Sequence, residues 1–470
     1  MIKSLLGYQD LERAESLELI SKYANTQPLD PGDCAYTDVS AGRSDRSVDR
    51  TYNILTKAAH ADADYATVTI AGHTGAGKST ELLQLKRRLE QSGKFVCVSF
   101  QVDPETISKY GHTAIFLWLV TSVAHELRLR YQLEFDESLL DGVSHWYADV
   151  VKVKAHEVVK ELSGAVTGTV EAKHGVWGVH ACIKATLALV GKDTRKDQEE
   201  VRLAMQRSAG QLVGAVNVFL DETRDLLTKI DKPDRLAIIV DELDKLEPVP
   251  AKELLFGGAK WLNSIHADIV FTVPVAIVLE GSDIRRVFPD NYRLPMIKTT
   301  HRDSTPFTPG IDAIRKLVER RVDPSLFTDA DVIAYLIRLA GGDIRDLMRL
   351  IREAAFEADD RSLTRIDMAC AVSAVAETRK QMQQGLDAAF PLLANVDRFG
   401  TTPELLFNES ENVDKMRVDL AEFIKQGRVL VYEDDAGHWY VVHPIIKEMD
   451  GFERTRRALF DHVDKPQQSS

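Results

Sequence analysis

Eight consecutive residues, Gly72-His73-Thr74-Gly75-Ala76-Gly77-Lys78-Ser79, match the pattern G-x-x-x-x-G-K-[ST] at every fixed position. Glycines at this spacing let successive backbone N–H groups turn inward around phosphate oxygens, and a helix opening at the lysine adds the positive end of its dipole. In that chemistry the Lys78 ammonium reaches the β- and γ-phosphates, the Ser79 hydroxyl is a Mg²⁺ ligand, and Thr80 completes the stretch that contacts nucleotide. A second run, Ile238-Ile239-Val240-Asp241-Glu242, ends an apolar segment in two carboxylates. Asp241 is suited to hold Mg²⁺, and Glu242 to orient or deprotonate an attacking water. Phosphate loop and carboxylate pair together imply binding of ATP with Mg²⁺, and its hydrolysis.

Such groups work only where a strand and a helix hold them. YATVTIA, from Tyr65, is β-branched and apolar and leads into the glycines; STELLQLKRRLEQSG follows, with Leu82, Leu85 and Leu89 at helical spacing. KFVCVSFQVD reads as the next strand, TAIFLWLVTSVAHELRLRY as a long buried helix, and LAIIVDEL as a buried parallel strand. DIVFTVPVAIVL and RLPMIKTT supply two further strand candidates.

Composition narrows the class. With 470 residues the chain has room for roughly two to four domains. Lys and Arg number 59 against 72 Asp and Glu, a net charge of −13, so attraction to a nucleic-acid backbone has no support from the whole chain. Cys34, Cys97, Cys182 and Cys370 are far apart in sequence, which indicates neither a zinc knuckle nor a disulfide framework and suits a reducing cytoplasm. The longest mostly apolar stretch, residues 269–279, reads as a buried strand; it is about half of the roughly 20 residues a membrane span needs, so no membrane partner is expected.

The remaining chain divides by pattern. Residues 1–60 form an N-terminal arm with a helical pattern over 48–59. Residues 61–308 form the nucleotide core, interrupted by an insertion at about 135–232. Inside the insertion a helical period runs over 196–230, whereas VTGTVEAKHGVWGVHACIKATL fits a hairpin or an irregular helix, and Arg195, Arg202 and Arg207 make a candidate partner surface beside the plainer reading of a solvated charged face. Residues 309–384 are wholly helical and form a lid. Residues 385–470 hold two or three helices and then RVLVYEDDAGHWYVVHP, two strands about an Asp434-Asp435-Ala436-Gly437 turn, which suggests a winged helix.

On the glycine loop, the run Asp241-Glu242-Leu243-Asp244-Lys245-Leu246, and Gly341-Gly342-Asp343-Ile344-Arg345-Asp346-Leu347, the chain resembles the AAA+ and STAND branches of the P-loop NTPases, particularly the origin-recognition-like ATPases, over residues 36–449. The resemblance implies an α/β fold: a P-loop core with a parallel sheet, a helical insertion, an all-α lid and a C-terminal winged-helix domain. It makes Arg345 the lid arginine that senses the γ-phosphate, the alternative being a surface arginine paired with Asp346 or Glu353. At the first sensor the family's favoured asparagine is missing, and Thr272 is the nearest polar candidate beside the reading of a satisfied strand threonine. Arg285 and Arg286 lie where such subunits offer an arginine finger to a neighbour, which requires a homo-oligomer; as surface charges they need no explanation. Tyr36-Thr37-Asp38-Val39 and Arg43 resemble the segment that lies against adenine, the alternative being that the aromatic anchors the arm on the sheet.

A winged helix suggests DNA, yet residues 385–470 carry 16 acids against 10 bases, and the ribbon turn is itself acidic. The expectation is therefore a cytoplasmic switch ATPase that acts on an effector protein, with bacterial defence against phage as the setting the resemblance implies. The alternatives are a DNA-bound initiator or loader and a nucleotide-binding scaffold without turnover.

Overall fold

The structure is a computed structural model that describes residues 13–43, 47–61, 64–135, 142, 143, 145, 146, 203, 204, 207–279, 284–402, 406 and 413–460. The VTGTVEAKHGVWGVHACIKATL stretch, Arg195, Arg202 and the start of the 196–230 helical period lie outside the described residues. The chain divides into two compact units, one of Met1–Arg46, Gly72–Glu81 and Leu294–Ser470, the other of Ser47–Ala71 and Leu82–Arg293.

The second unit is built on a five-stranded sheet. In chain order its strands are β1 (Thr67–Gly72), β2 (Val96–Gln101), β3 (Leu236–Asp241), β4 (Asp268–Pro274) and β5 (Asp290–Leu294), and they are ordered β2-β3-β4-β1-β5 in space. β2 and β3 are parallel, with Val96 opposite Leu236 and Gln101 opposite Asp241; β3 and β4 are parallel, with Ala237 opposite Asp268. Every residue of β3 and of β4 is buried, which is why both read as continuous apolar runs without alternation. The one charge inside β4, Asp268, is paired with Arg235 Nε at 2.6 Å and accepts the Ala66 N–H at 2.8 Å. Helix His112–Tyr131 is buried without a break from His112 to Ala124, so it is apolar all round, whereas helix Ala209–Lys229 buries one face through Leu212, Val216, Phe219 and Leu227.

Two strand expectations shift. The apolar run 269–279 is not one strand: β4 stops at Pro274 and Val275–Leu279 is a short helix. RLPMIKTT is strand only in its first two residues, because β5 runs from Asp290 to Leu294 and stops before Pro295. In both cases a proline, which has no N–H to give a ladder, ends the pairing. Beyond Pro295 the chain finds other partners, and Met296 donates its N–H to Val431 O at 3.3 Å.

The first unit is mostly helical: Thr308–Arg321, Ala330–Ala340, Ile344–Asp360, Met368–Gln383, Phe390–Phe399, Val413–Lys425 and Asp450–Phe460. Three of these starts are fixed by aspartates that accept backbone N–H groups of the first turn, Asp329, Asp343 and Asp367. An antiparallel ribbon of β6 (Val429–Asp434) and β7 (Gly437–Val442) follows, closed by the Asp434-Asp435-Ala436-Gly437 turn with Gly437 at φ 113°. Among the described residues no helix is long and apolar enough to cross a membrane.

Candidate nucleotide-binding site

The glycine loop lies at the end of β1, and the helix Lys78–Gln91 opens at its lysine. Gly75 and Gly77 both take φ 85°, a left-handed conformation that side chains disfavour and that turns consecutive N–H groups to one side. Lys78 is buried and donates from Nζ to Gly72 O at 2.8 Å and His73 O at 2.9 Å. Ala76 presents its carbonyl to Arg43 Nη2, and Arg43 Nη1 lies 3.5 Å from Glu81 Oε1 in the first turn of the same helix. Burial lowers the pKa of this arginine, while burial raises that of Glu81, so each offsets the other's desolvation. Arg43, which the sequence places with the adenine-like segment, has its guanidinium against the loop backbone. No sequence signal separates those two roles.

The lid meets the same loop. Ile344 donates its N–H to Gly75 O at 3.3 Å, and a Cβ built on Gly75 would fall on the Asp343 carboxylate. Asp343 also accepts the Asp346 N–H at 3.0 Å, and its pKa is pushed up to about 7, first by burial and then by the Asp346 charge. Arg345, two residues on, is half-buried and makes no ion pair among the described residues; Asp346 pairs with Arg349 at 3.2 Å instead. Gly342, at φ 83°, passes so close to Ile297 O that no side chain fits there.

The ribbon completes the surroundings. Ala76 packs in one apolar cluster with Met296, Leu430, Tyr432 and Trp439. His73, fully buried, has Nδ1 2.8 Å from Thr74 O and Nε2 2.8 Å from Val429 O. Only an imidazolium could donate to both carbonyls, and burial pushes its pKa down, so the neutral ring satisfies one of them. His443 accepts the Ile445 N–H on Nδ1, which puts its proton on Nε2, 3.6 Å from Asp346 Oδ2. Its pKa is pushed down to about 4 by burial. Nothing in the local sequence around His443 connects it to Asp346, 97 residues earlier.

In the second unit Asp241 ends β3, buried, with Oδ1 accepting the Glu242 N–H at 2.8 Å. Glu242 takes φ 73° and its carboxylate is ion-paired with Lys245. Thr272, on the strand beside β3, accepts the Leu243 N–H on Oγ1 at 3.1 Å. Arg285 and Arg286 are both exposed on the short helix Ile284–Val287.

These groups suit nucleotide and magnesium. In the first unit the left-handed glycines and a helix N-terminus are suited to offer amides to phosphate, with Lys78 as a cation; the Ser79 hydroxyl there and, in the second unit, the Asp241 carboxylate are each a hard oxygen donor of the kind Mg²⁺ prefers.

A complete glycine-lysine loop after a strand of an α/β sheet, with an Asp-Glu pair closing another strand of it, defines a P-loop NTPase fold. Among solved structures the chain is similar to the Aeropyrum pernix ORC2 protein in its ADP form, at 10% identity and a TM-score of 0.41 over 95% of this chain and 99% of that one. It is similar to the Aeropyrum pernix ORC1 protein in complex with DNA, at 14% identity and a TM-score of 0.39 over 96% and 98% of the two chains. It is also similar to the Thermotoga maritima RuvB Holliday junction branch migration motor, at 10% identity and a TM-score of 0.35 over 87% and 95%. No protein-family profile and no curated protein matches the sequence.

Proposed function

We propose that the chain is an ATP-hydrolysing switch of the AAA+ or STAND type, in which the lid and ribbon report the state of the glycine loop to a partner protein. The attachment of the lid's first helical turn to Gly75, through the Ile344 N–H and the Asp343 carboxylate, carries this reading. A triphosphate in the loop adds negative charge beside a buried carboxylate, so the Asp343 end of the helix must respond to it. Arg345 on the same turn would then meet the γ-phosphate, Glu242 would serve the attacking water once released from Lys245, and Arg285 and Arg286 would act on a neighbouring copy. Such a switch moves its partner only by as much as ATP and ADP differ in favouring one arrangement.

Steady-state ATP hydrolysis by the wild type, Lys78→Ala and Glu242→Gln tests the enzyme. Turnover should vanish in the first variant and fall by about 100-fold or more in the second, which should still bind ATP. Equal rates in all three proteins would refute it. For the partner, the full chain captured from native lysate with ATP or with ADP should retain an effector in one state only, and identical captures would count against a switch. The phage-defence setting predicts that Lys78→Ala abolishes any protection seen in plaque assays.

A further inference from the structure

Within the first unit a cavity of about 400 Å³ opens between residues 299–306, the helix Ala330–Ala340 and the ribbon. Its volume lies in the range of small-molecule sites, and aromatic and aliphatic side chains, among them Tyr432, Trp439, Val441 and Ile337, supply most of its wall. A space of this size and polarity inside a packed unit is one that side chains ordinarily close.

The charges on the wall are already answered. Arg302 holds Asp434 through two N–H groups at 3.0 and 2.9 Å, Lys447 holds Asp397, and Arg338 holds Glu448 at 3.1 Å. A charged ligand would have to break one of these pairs to be neutralised, whereas a neutral one leaves all of them in place. Trp439, Tyr432 and Tyr440 are among the wall residues, and aromatic side chains pair favourably with another aromatic ring.

One wall residue ties the cavity to the glycine loop. Tyr432 donates its hydroxyl to Gly341 O at 2.8 Å, at the glycine pair that precedes Arg345. Its single proton being used there, the Thr299 hydroxyl donates to Tyr432 Oη at 3.0 Å. The Tyr432 ring belongs to the cluster that packs on Ala76 of the loop. Whatever fills the cavity touches a side chain that is hydrogen-bonded to Gly341 and shares an apolar cluster with Ala76 of the loop.

We propose that this cavity binds a neutral, planar, largely apolar small molecule, and that its occupancy changes nucleotide affinity through Tyr432. The second half rests on the loop binding nucleotide; the first half does not.

The probe is N-phenyl-1-naphthylamine, a neutral aromatic dye, titrated by fluorescence into the full chain. One saturable site is expected, weakened at least about tenfold by Ala334→Phe and by Val441→Phe, which fill the space from two walls. Circular dichroism melts identify which variants remain folded, and either one suffices. Saturating dye should shift the Kd for ADP by about fivefold or more, ADP should shift the Kd for dye by the same factor, and Tyr432→Phe should shrink both shifts. Dye binding that is unsaturable, or unchanged in a folded cavity-filled variant, overturns the site. An ADP affinity indifferent to dye overturns the coupling. A chain that binds dye but no ADP refutes the nucleotide reading and leaves the cavity standing.

Discussion

The Asp343 carboxylate lies against Gly75 of the phosphate loop so closely that position 75 has no room for a side chain. Gly75 also takes φ 85°, so two independent constraints exclude a Cβ there. Gly75→Ala should lower the unfolding free energy by roughly 1–3 kcal/mol and should weaken nucleotide binding together with lid attachment. Urea denaturation reads the first effect, and a midpoint equal to wild type would show that the loop and lid are not packed as described.

The same carboxylate gives stability a pH dependence of unusual sign. Its pKa rises from 3.8 in the unfolded chain to about 7 in the fold, so the native state holds the extra proton between those values. This contribution is fully present below pH 4 and is lost as pH rises through 7. Asp343→Asn keeps an acceptor for the Asp346 N–H and removes the titration. The variant should gain stability relative to wild type on going from pH 5 to pH 8; a constant difference across that range would mean the carboxylate titrates normally.

His443 acts in the opposite direction. Its pKa falls from 6.5 to about 4 on burial, so stability is present above pH 6.5 and is lost as pH falls toward 4. Asp346, which favours its charged form, and His73, which opposes it, are the groups facing it. His443→Asn retains an acceptor for the Ile445 N–H and should resist acid better than wild type between pH 6.5 and 4.5, measured by thermal melts. A variant that loses stability in parallel with wild type would assign the acid sensitivity elsewhere.

Much of this was legible in residue types. The glycine loop, the Asp-Glu pair and the helices of the first unit follow from spacing alone, because apolar periodicity and phosphate chemistry both leave short-range marks. The prolines at 274 and 295 were visible too, yet the length of the apolar runs around them outweighed what a missing N–H does to a ladder. Contacts across long sequence separations were not legible: Asp343 with Gly75, His73 with Val429, Tyr432 with Gly341 and Arg43 with Ala76 each join segments whose local patterns say nothing of one another. The lone charges Asp343 and His443 look like ordinary cap and packing residues until their burial is known.

Arg302 illustrates how such a contact holds the ribbon. It grips Asp434 with two N–H groups, donates to Thr401 O at 2.6 Å and Gly437 O at 2.8 Å, and lies over the Trp439 ring at 4.5 Å. A planar fork makes these bonds together and an ammonium cannot. Arg302→Lys should therefore cost about 1 kcal/mol or more and should speed amide exchange across residues 429–442. Exchange unchanged in the ribbon would show that its strands are held by their own ladder.

Glu242 and Lys245 bear on turnover. The left-handed φ of 73° at Glu242 aims a side chain whose carboxylate is occupied by Lys245, which is itself largely exposed. An exposed pair of this kind is worth about 0–1 kcal/mol, so it restrains the glutamate without immobilising it. If Glu242 orients water, the competing ammonium reduces the fraction of time it is free to do so. Lys245→Ala should then raise kcat by up to about fivefold with little change in KM, the ratio that such a pair energy allows. A fall in kcat would instead make Lys245 a positioning residue that holds the carboxylate where the reaction needs it, and the double variant with Glu242→Gln separates the two: restraint predicts that removing Lys245 has no effect once the carboxylate is gone.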